Sequence, residues 1–219
     1  MKNTLLVHSI FKSISGEVGL IPQGTSTVFI RLAGCNMKCS YCDTACTQSK
    51  KSGSKFTIEQ IINSIKKLKC KNLLITGGEP LMQRKGIISL LKRLKGWGCK
   101  IQIETNGSYH IKEDEGLVNC FVVDYKFEGG EKYKKDFQKK IIDNWKIYDW
   151  LKFVIEDYED YKEAKKLIKD WGCNDNNINV AFSAVNGFGM TSRELAKLII
   201  RDNIPVILNV QMHKLIGMD

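Results

Sequence analysis

Seven short apolar runs of β-forming residues alternate along this chain with amphipathic stripes of helical period, and that order leaves few folds open. The runs cover residues 28–32, 73–76, 100–104, 121–124, 151–155, 178–182 and 206–210. Ile58, Ile61, Ile62, Ile65 and Leu68 form one helical stripe, opened by a capping box of Thr57 and Gln60. Ile87, Leu90, Leu91 and Leu94 form a second, and Tyr161, Ala164, Leu167 and Ile168 a third that stops near Gly172. Leu195, Leu198 and Ile199 form a fourth, capped by Thr191 and Glu194. Alternating βα units demand a mostly parallel sheet with right-handed crossovers, and six or seven strands are too few to close an eight-stranded barrel. The expectation is an α/β fold: an open, partial TIM-like (βα) barrel with about six parallel core strands. Its core spans residues 28–219 in a single domain, and residues 1–27 form a short N-terminal extension, an extra strand and loop packed on that core. Residues 128–149, charged and without clear period, read as a loop with a short helix.

In open parallel sheets, sites lie at the carboxyl ends of the strands. The run at 28–32 leads directly into Gly34-Cys35-Asn36-Met37-Lys38-Cys39-Ser40-Tyr41-Cys42, with three cysteines spaced Cys-x3-Cys-x2-Cys. Three thiolates so placed can grip three irons of a four-iron, four-sulfur (4Fe-4S) cluster and leave the fourth iron open for chemistry. The alternative is zinc, which usually takes four protein ligands in paired spacings. No second pair follows, and Cys46 is the one residue that argues for a fully ligated metal. Three further strand ends are polar: Thr76-Gly77-Gly78-Glu79-Pro80, Glu104-Thr105-Asn106-Gly107 and Asp124-Tyr125-Lys126. Each alone reads equally well as a turn, a solvated acid or a surface ion pair. Four such ends on one rim point to a site.

The formal charge is +10 over 219 residues. The lysines are spread over the polar faces of the expected helices, and no aromatic residues interleave with them to stack bases, so a solvated surface is expected rather than direct nucleic-acid binding. With no run of some twenty apolar residues and no secretory leader at the N-terminus, no membrane span and no export are expected. Cys70, Cys99, Cys120 and Cys173 sit beside apolar runs and read as buried thiols in a reducing cytoplasm.

Together these motifs resemble the radical S-adenosylmethionine (SAM) superfamily, and more closely the 7-carboxy-7-deazaguanine synthase family. The closer likeness rests on Ser13 to Glu17, Phe29 to Asn36, Cys42-Asp43-Thr44, Gly77 to Gln83, Glu104 to Gly107, Leu151 to Val154 and Gln211 to Lys214. The resemblance implies an enzyme that turns 6-carboxy-5,6,7,8-tetrahydropterin into 7-carboxy-7-deazaguanine with loss of ammonia, in queuosine or 7-deazapurine biosynthesis. SAM acts there as a regenerated cofactor: its cleavage gives a 5′-deoxyadenosyl radical that takes a hydrogen from the pterin, whose ring then contracts.

Carried over residue by residue, Cys35, Cys39 and Cys42 hold the cluster and Thr44 a magnesium ion. Tyr41, Gly77, Gly78, Glu79, Glu104, Asn106 and Lys126 bind SAM. Ser15, Gly16, Glu17, Arg31, Thr76, His213 and Asp219 face the pterin. The family also implies a flavodoxin- or ferredoxin-type electron donor and a homodimer. Ser15 departs from the family's usual Gln, Phe127-Glu128-Gly129-Gly130 departs from its usual Pro and Ser, and Cys46 is extra. The competing resemblance is to another radical SAM enzyme, such as a glycyl-radical-enzyme activase. The Ser-Gly-Glu entry, Glu-Thr-Asn-Gly and the His-Lys tail argue against it.

Overall fold

The computed structural model describes residues 4–111, 116–128, 133–134, 136–137, 141, 145–185, 187 and 189–218. All seven expected runs are strands: β2 (Ser26–Leu32), β4 (Asn72–Gly77), β5 (Lys100–Thr105), β6 (Cys120–Lys126), β7 (Trp150–Ile155), β8 (Asn179–Ala184) and β9 (Ile207–Asn209). They pair in parallel and in sequence order, so the parallel run holds seven strands rather than about six. The seventh, β9, has only three residues, yet it pairs with β8 from Ala181↔Ile207 to Ser183↔Asn209. Two antiparallel strands extend the sheet beyond β2: β1 (Thr4–Ile14) pairs with β2, and β3 (Ser54–Thr57) pairs with β1. The order β3-β1-β2-β4-β5-β6-β7-β8-β9 leaves β3 and β9 as its two ends, and the barrel is open.

Four helices lie where the stripes place them: α1 (Ile58–Leu68), α2 (Arg84–Leu94), α3 (Tyr158–Asp170) and α4 (Ser192–Asp202). Both expected capping boxes are made, Thr57 with Gln60 and Thr191 with Glu194. A short α5 (Met212–Leu215) follows β9. Of residues 128–149, Tyr133, Lys134, Asp136, Phe137 and Ile141 are helical. Among the described residues no helix is long and apolar enough to cross a membrane.

Side chains alternate across each strand. Leu73, Ile75, Ile101, Ile103, Phe121, Val123, Leu151 and Phe153 join one buried cluster with Ile61, Ile62, Ile87, Leu90, Tyr161 and Leu195 of the helices. Burying each such side chain contributes about 1.5–3 kcal/mol. The opposite, concave face is different. Cys120, Val122 and Ala181 form a small apolar floor there with Val18. Val18 lies in the loop after β1, which crosses the concavity. Its backbone N–H donates to Asn209 Oδ1 at 2.9 Å, and that of Ile21 donates to Gln102 Oε1 at 3.2 Å. The N-terminal extension is therefore more than an added edge: it fills the bottom of the half-barrel and ties its middle to its last strand. Of the four cysteines expected as buried thiols, Cys120 and Cys173 are buried, whereas Cys70 and Cys99 are only half-buried at the ends of apolar runs.

Candidate active site

Above the apolar floor the concave face turns polar and encloses a cavity of about 560 Å³. Successive strands point one or two polar side chains into it: Arg31 of β2, Thr76 of β4, Glu104 of β5, Asp124 and Lys126 of β6, Lys152 of β7 and Ser183 of β8. The cysteine loop, the 16–17 segment and the tail at Gln211 and His213 complete the walls. Among the expected site residues described, only Ser15 and Glu79 fall outside this lining. Asp219 lies outside the described residues.

The cysteine loop is fastened from below. Gly34 N–H donates to Thr47 O at 2.8 Å and Cys35 N–H to Gln48 O at 3.0 Å. Cys35, Cys39 and Cys42 are all unpaired, half-buried and in the cavity wall. Burial raises the Cys35 and Cys39 thiols; Glu79 and then Cys42 raise Cys35 further, and Glu128 and then Cys42 and Cys35 raise Cys39. Against this, Met37 N–H lies 3.4 Å and Asn106 Nδ2 3.7 Å from Cys35 Sγ, donors of the kind that support a thiolate. Ser40, inside the loop, donates through both its N–H and its hydroxyl to Glu128 in the turn just past β6. The departing residue Glu128 thus holds the cysteine loop. Cys46 is not in the wall: it is exposed, with its sulfur 3.9 Å from His8 Nε2.

The Gly77-Gly78 turn is required first by the protein's own backbone. A Cβ on Gly77 would lie 2.2 Å from Leu32 O, and one on Gly78 2.1 Å from Gly34 O. That closeness lets Gly78 N–H donate to Leu32 O at 2.8 Å and Glu79 N–H to Gly34 O at 2.9 Å, so the turn and the cysteine loop are built as one unit. Glu79 faces away from the cavity. Its carboxylate accepts from Leu81 N–H at 2.9 Å, Thr105 Oγ1 at 2.7 Å and Asn106 N–H at 2.8 Å, cross-linking the β4 and β5 ends. Burial pushes it up to about 7 despite those donors. The expectation of a ligand-facing Glu79 is corrected accordingly: the carboxylate is fully buried behind the cavity lining, with Oε1 taking two protein donors and Oε2 one. Ser15 is likewise turned inward, its hydroxyl donating to Ile21 O at 3.2 Å, so it shapes the loop instead of facing the cavity.

The remaining wall carries the charges. Arg31 stacks its guanidinium over Phe11 at 5.0 Å, and its buried Nε has no partner. The Tyr41 hydroxyl is also buried without a partner, and burial raises it strongly. Thr76 Oγ1 donates to Glu104 Oε2 at 2.9 Å. Burial, and then Glu17 nearby, push Glu104 up to about 7. Lys126 pairs with Asp124 at 2.8 Å, a partly buried ion pair in the cavity wall and not a solvated surface one. Burial disfavours the Lys126 ammonium, but Asp124 outweighs it and holds the group above its ordinary value. The imidazole of His213 packs on Gly16, where a Cβ would lie 1.9 Å from Nδ1, and burial lowers it. Thr44 Oγ1 donates to Asp43 Oδ1 at 2.7 Å, which leaves the Thr44 lone pairs free beside an acid. Burial alone would raise Asp43, but the hydrogen bonds from Thr44 and Gln211 and the nearby lysines hold it below the usual range. Asp43, Lys152 and Gln211 are wall residues that sequence reasoning passed over.

A profile of the Radical SAM superfamily matches residues 29–200. The 7-carboxy-7-deazaguanine synthase of Clostridium acetobutylicum is 36% identical over 216 residues, 94% of this chain and 93% of that protein. The chain belongs to the 7-carboxy-7-deazaguanine synthase family of the radical SAM superfamily. The like-named protein of Methanospirillum hungatei is 30% identical over 212 residues, 97% of this chain and 85% of its relative. The crystal structure of QueE from Escherichia coli matches with a TM-score of 0.70 at 19% identity, over 96% of this chain and 95% of that one, so the two share a fold.

Membership in the radical SAM superfamily brings a 4Fe-4S cluster and SAM. The residues present fit both. Three free thiols stand in one wall, Cys46 stands outside it, and Tyr41, whose buried hydroxyl has no partner, lines the space beside them. Among the described residues no three His, Cys, Asp or Glu groups are gathered as around a single ion. Ligands to three different irons need not share one centre.

Proposed function

We propose that this chain is a 7-carboxy-7-deazaguanine synthase, acting as one radical SAM domain over residues 1–219. It converts 6-carboxy-5,6,7,8-tetrahydropterin to 7-carboxy-7-deazaguanine with loss of ammonia. The observation that carries the reading is that Arg31, Glu17 and His213 line the same cavity as the three cysteines in a chain of this family. When bound, the cluster and SAM supply one-electron reduction and hydrogen-atom abstraction, chemistry that no side chain here offers.

In this reading Cys35, Cys39 and Cys42 would hold three irons. The Gly77-Gly78 backbone, Glu104, Asn106, Tyr41 and Lys126 would hold SAM beside them. Arg31 offers its unpartnered guanidinium edge to the pterin carboxylate, where parallel hydrogen bonds to two oxygens are strong. Glu17 accepts from the amino-pyrimidine edge, and His213, kept neutral by burial, offers a ring nitrogen from the tail. Gly16 lets that imidazole approach. Thr44 would give magnesium its one direct protein oxygen, with Asp43 anchoring the hydroxyl; magnesium keeps waters and substrate oxygens for its other positions. The floor of Val18, Cys120, Val122 and Ala181 closes the cavity from below against water. The electron donor is of flavodoxin or ferredoxin type, and the enzyme works as a homodimer in the cytoplasm.

The test is anaerobic incubation of cluster-reconstituted protein with SAM, magnesium, reductant and the tetrahydropterin. The expected result is 7-carboxy-7-deazaguanine without net loss of SAM. SAM cleavage without that product would keep the superfamily chemistry and reject the substrate.

A further inference from the structure

Lys152 is the third residue of β7 and projects into the concave face with its side chain only 7% exposed. An ammonium there forfeits hydration worth several kcal/mol and persists only where anions replace the water. Two do: Lys152 Nζ is in ion-pair contact with Glu17 Oε2 and lies 3.0 Å from Asp124 Oδ1. At 3.0 Å the Asp124 contact is close enough for a hydrogen bond, but its angles are poor and it acts chiefly as a charge pair. Burial alone would raise the Asp124 carboxyl, and Lys126 and then Lys152 hold it below its usual range. Asp124 already has Lys126 at 2.8 Å on its other oxygen. Glu17 has no such second cation: among the described residues Lys152 is the one ammonium in ion-pair contact with it. Both anions stabilise the Lys152 ammonium, Asp124 first, but Asp124 has a second cation in Lys126, so Glu17 is the anion that depends on Lys152 alone for its counter-charge.

The hydrogen bonds point the same way. Glu17 Oε2 accepts from Lys152, and Oε1 accepts from Gln211 Nε2 at 2.8 Å. The two donors come from β7 and from the tail, so they fix the carboxylate from two sides. Each oxygen keeps a lone pair for a ligand. The result is a planar pair of acceptors in the cavity wall, the complement of two adjacent N–H donors.

We propose that Lys152 is the positioning residue that supplies the counter-charge to Glu17 and fixes its carboxylate to accept two parallel hydrogen bonds from the aminopyrimidine edge of the pterin. The inference rests on the substrate reading given above. It assigns to Lys152 no contact with SAM or the cluster.

Binding of 6-carboxy-5,6,7,8-tetrahydropterin and of SAM is measured by calorimetry, without reductant, on cluster-loaded wild type, Lys152→Met, Glu17→Gln and the double variant. Lys152→Met is expected to weaken pterin binding about 10- to 100-fold, the weight of one charged hydrogen bond, and to change SAM binding less than about two-fold. In the Glu17→Gln background, adding Lys152→Met is expected to cost less than about two-fold more, because residues acting as one unit are not additive. The double variant leaves Asp124 paired with Lys126, so it keeps the comparison open even where Lys152→Met alone does not fold. Wild-type protein that fails to bind the pterin removes the substrate reading and this inference together. Wild-type binding with an unchanged Lys152→Met affinity, equal losses for both ligands, or a further tenfold loss from Glu17→Gln to the double variant overturns this inference alone.

Discussion

Single residues divide the cavity into a side that grips metal and cofactor and a side that selects substrate. Arg31→Ala removes the unpartnered guanidinium and should weaken pterin binding about 10- to 100-fold while SAM affinity stays within about two-fold. Equal losses in the two calorimetric titrations would count against its role. Thr44→Ala should leave SAM binding largely intact and flatten the response of turnover to added magnesium; an unchanged magnesium titration would count against Thr44 as ligand. Glu104 gives a pH signature in the ligand-free protein. Its value is raised from 4.5 to about 7, first by burial. The folded state therefore holds more protons than the unfolded state between those limits, so Glu104's contribution to stability falls as pH rises from about 4.5 through 7 and is constant above. Glu104→Gln should flatten that limb in urea midpoints measured from pH 5 to 8, and an unchanged slope would remove the assignment. The sequence made Arg31 and Glu104 legible because they sit in recognisable strings at strand ends. Lys152 had a signal too: a lone lysine inside Leu151-Lys152-Phe153-Val154, where a strand buried on both faces has no solvent for an ammonium. What no string could give was its partner, since Glu17 lies 135 positions away.

At the scale of elements, the repeating βα pattern was readable because each strand and helix carries its own apolar period, and the two capping boxes fixed helix starts to the residue. β3 escaped because Ser54–Thr57 is polar and mostly exposed; it is a strand only because the edge of β1 offers it hydrogen bonds. The double-glycine turn was legible as a motif but not as a joint. Its contact with Gly34 O makes it the hinge pin between the β4 end and the cysteine loop. Gly78→Ala should push the two apart, because backbone against backbone has no rotamer to give. The expected outcome is folded protein with sharply reduced iron and acid-labile sulfide after reconstitution. Wild-type iron content in that variant would show that the joint is not needed to shape the cluster loop.

Across the whole molecule, an open sheet has the problem of an unfilled inner face, and here the chain solves it with its own ends. The loop after β1 covers the floor, and Asn209 clasps it from the last strand while its amide donates to Ser183 at 3.1 Å. Asn209→Ala leaves the buried Val18 N–H unpaired, which should cost about 1–3 kcal/mol in chemical denaturation and loosen pterin binding along with it. A denaturation curve that superposes on wild type would show the clasp to be idle. No sequence period encodes such closure, because it joins loop to strand across nearly the full chain. The same clasp sets an order of events during synthesis. The cysteine loop and the strands beside it leave the ribosome early and can settle as a local unit, whereas Glu17 must wait for Lys152 and then for Gln211 before its wall is complete. A nascent polypeptide stalled past β6 would carry the iron-binding half of its active site with no finished place for the molecule it transforms.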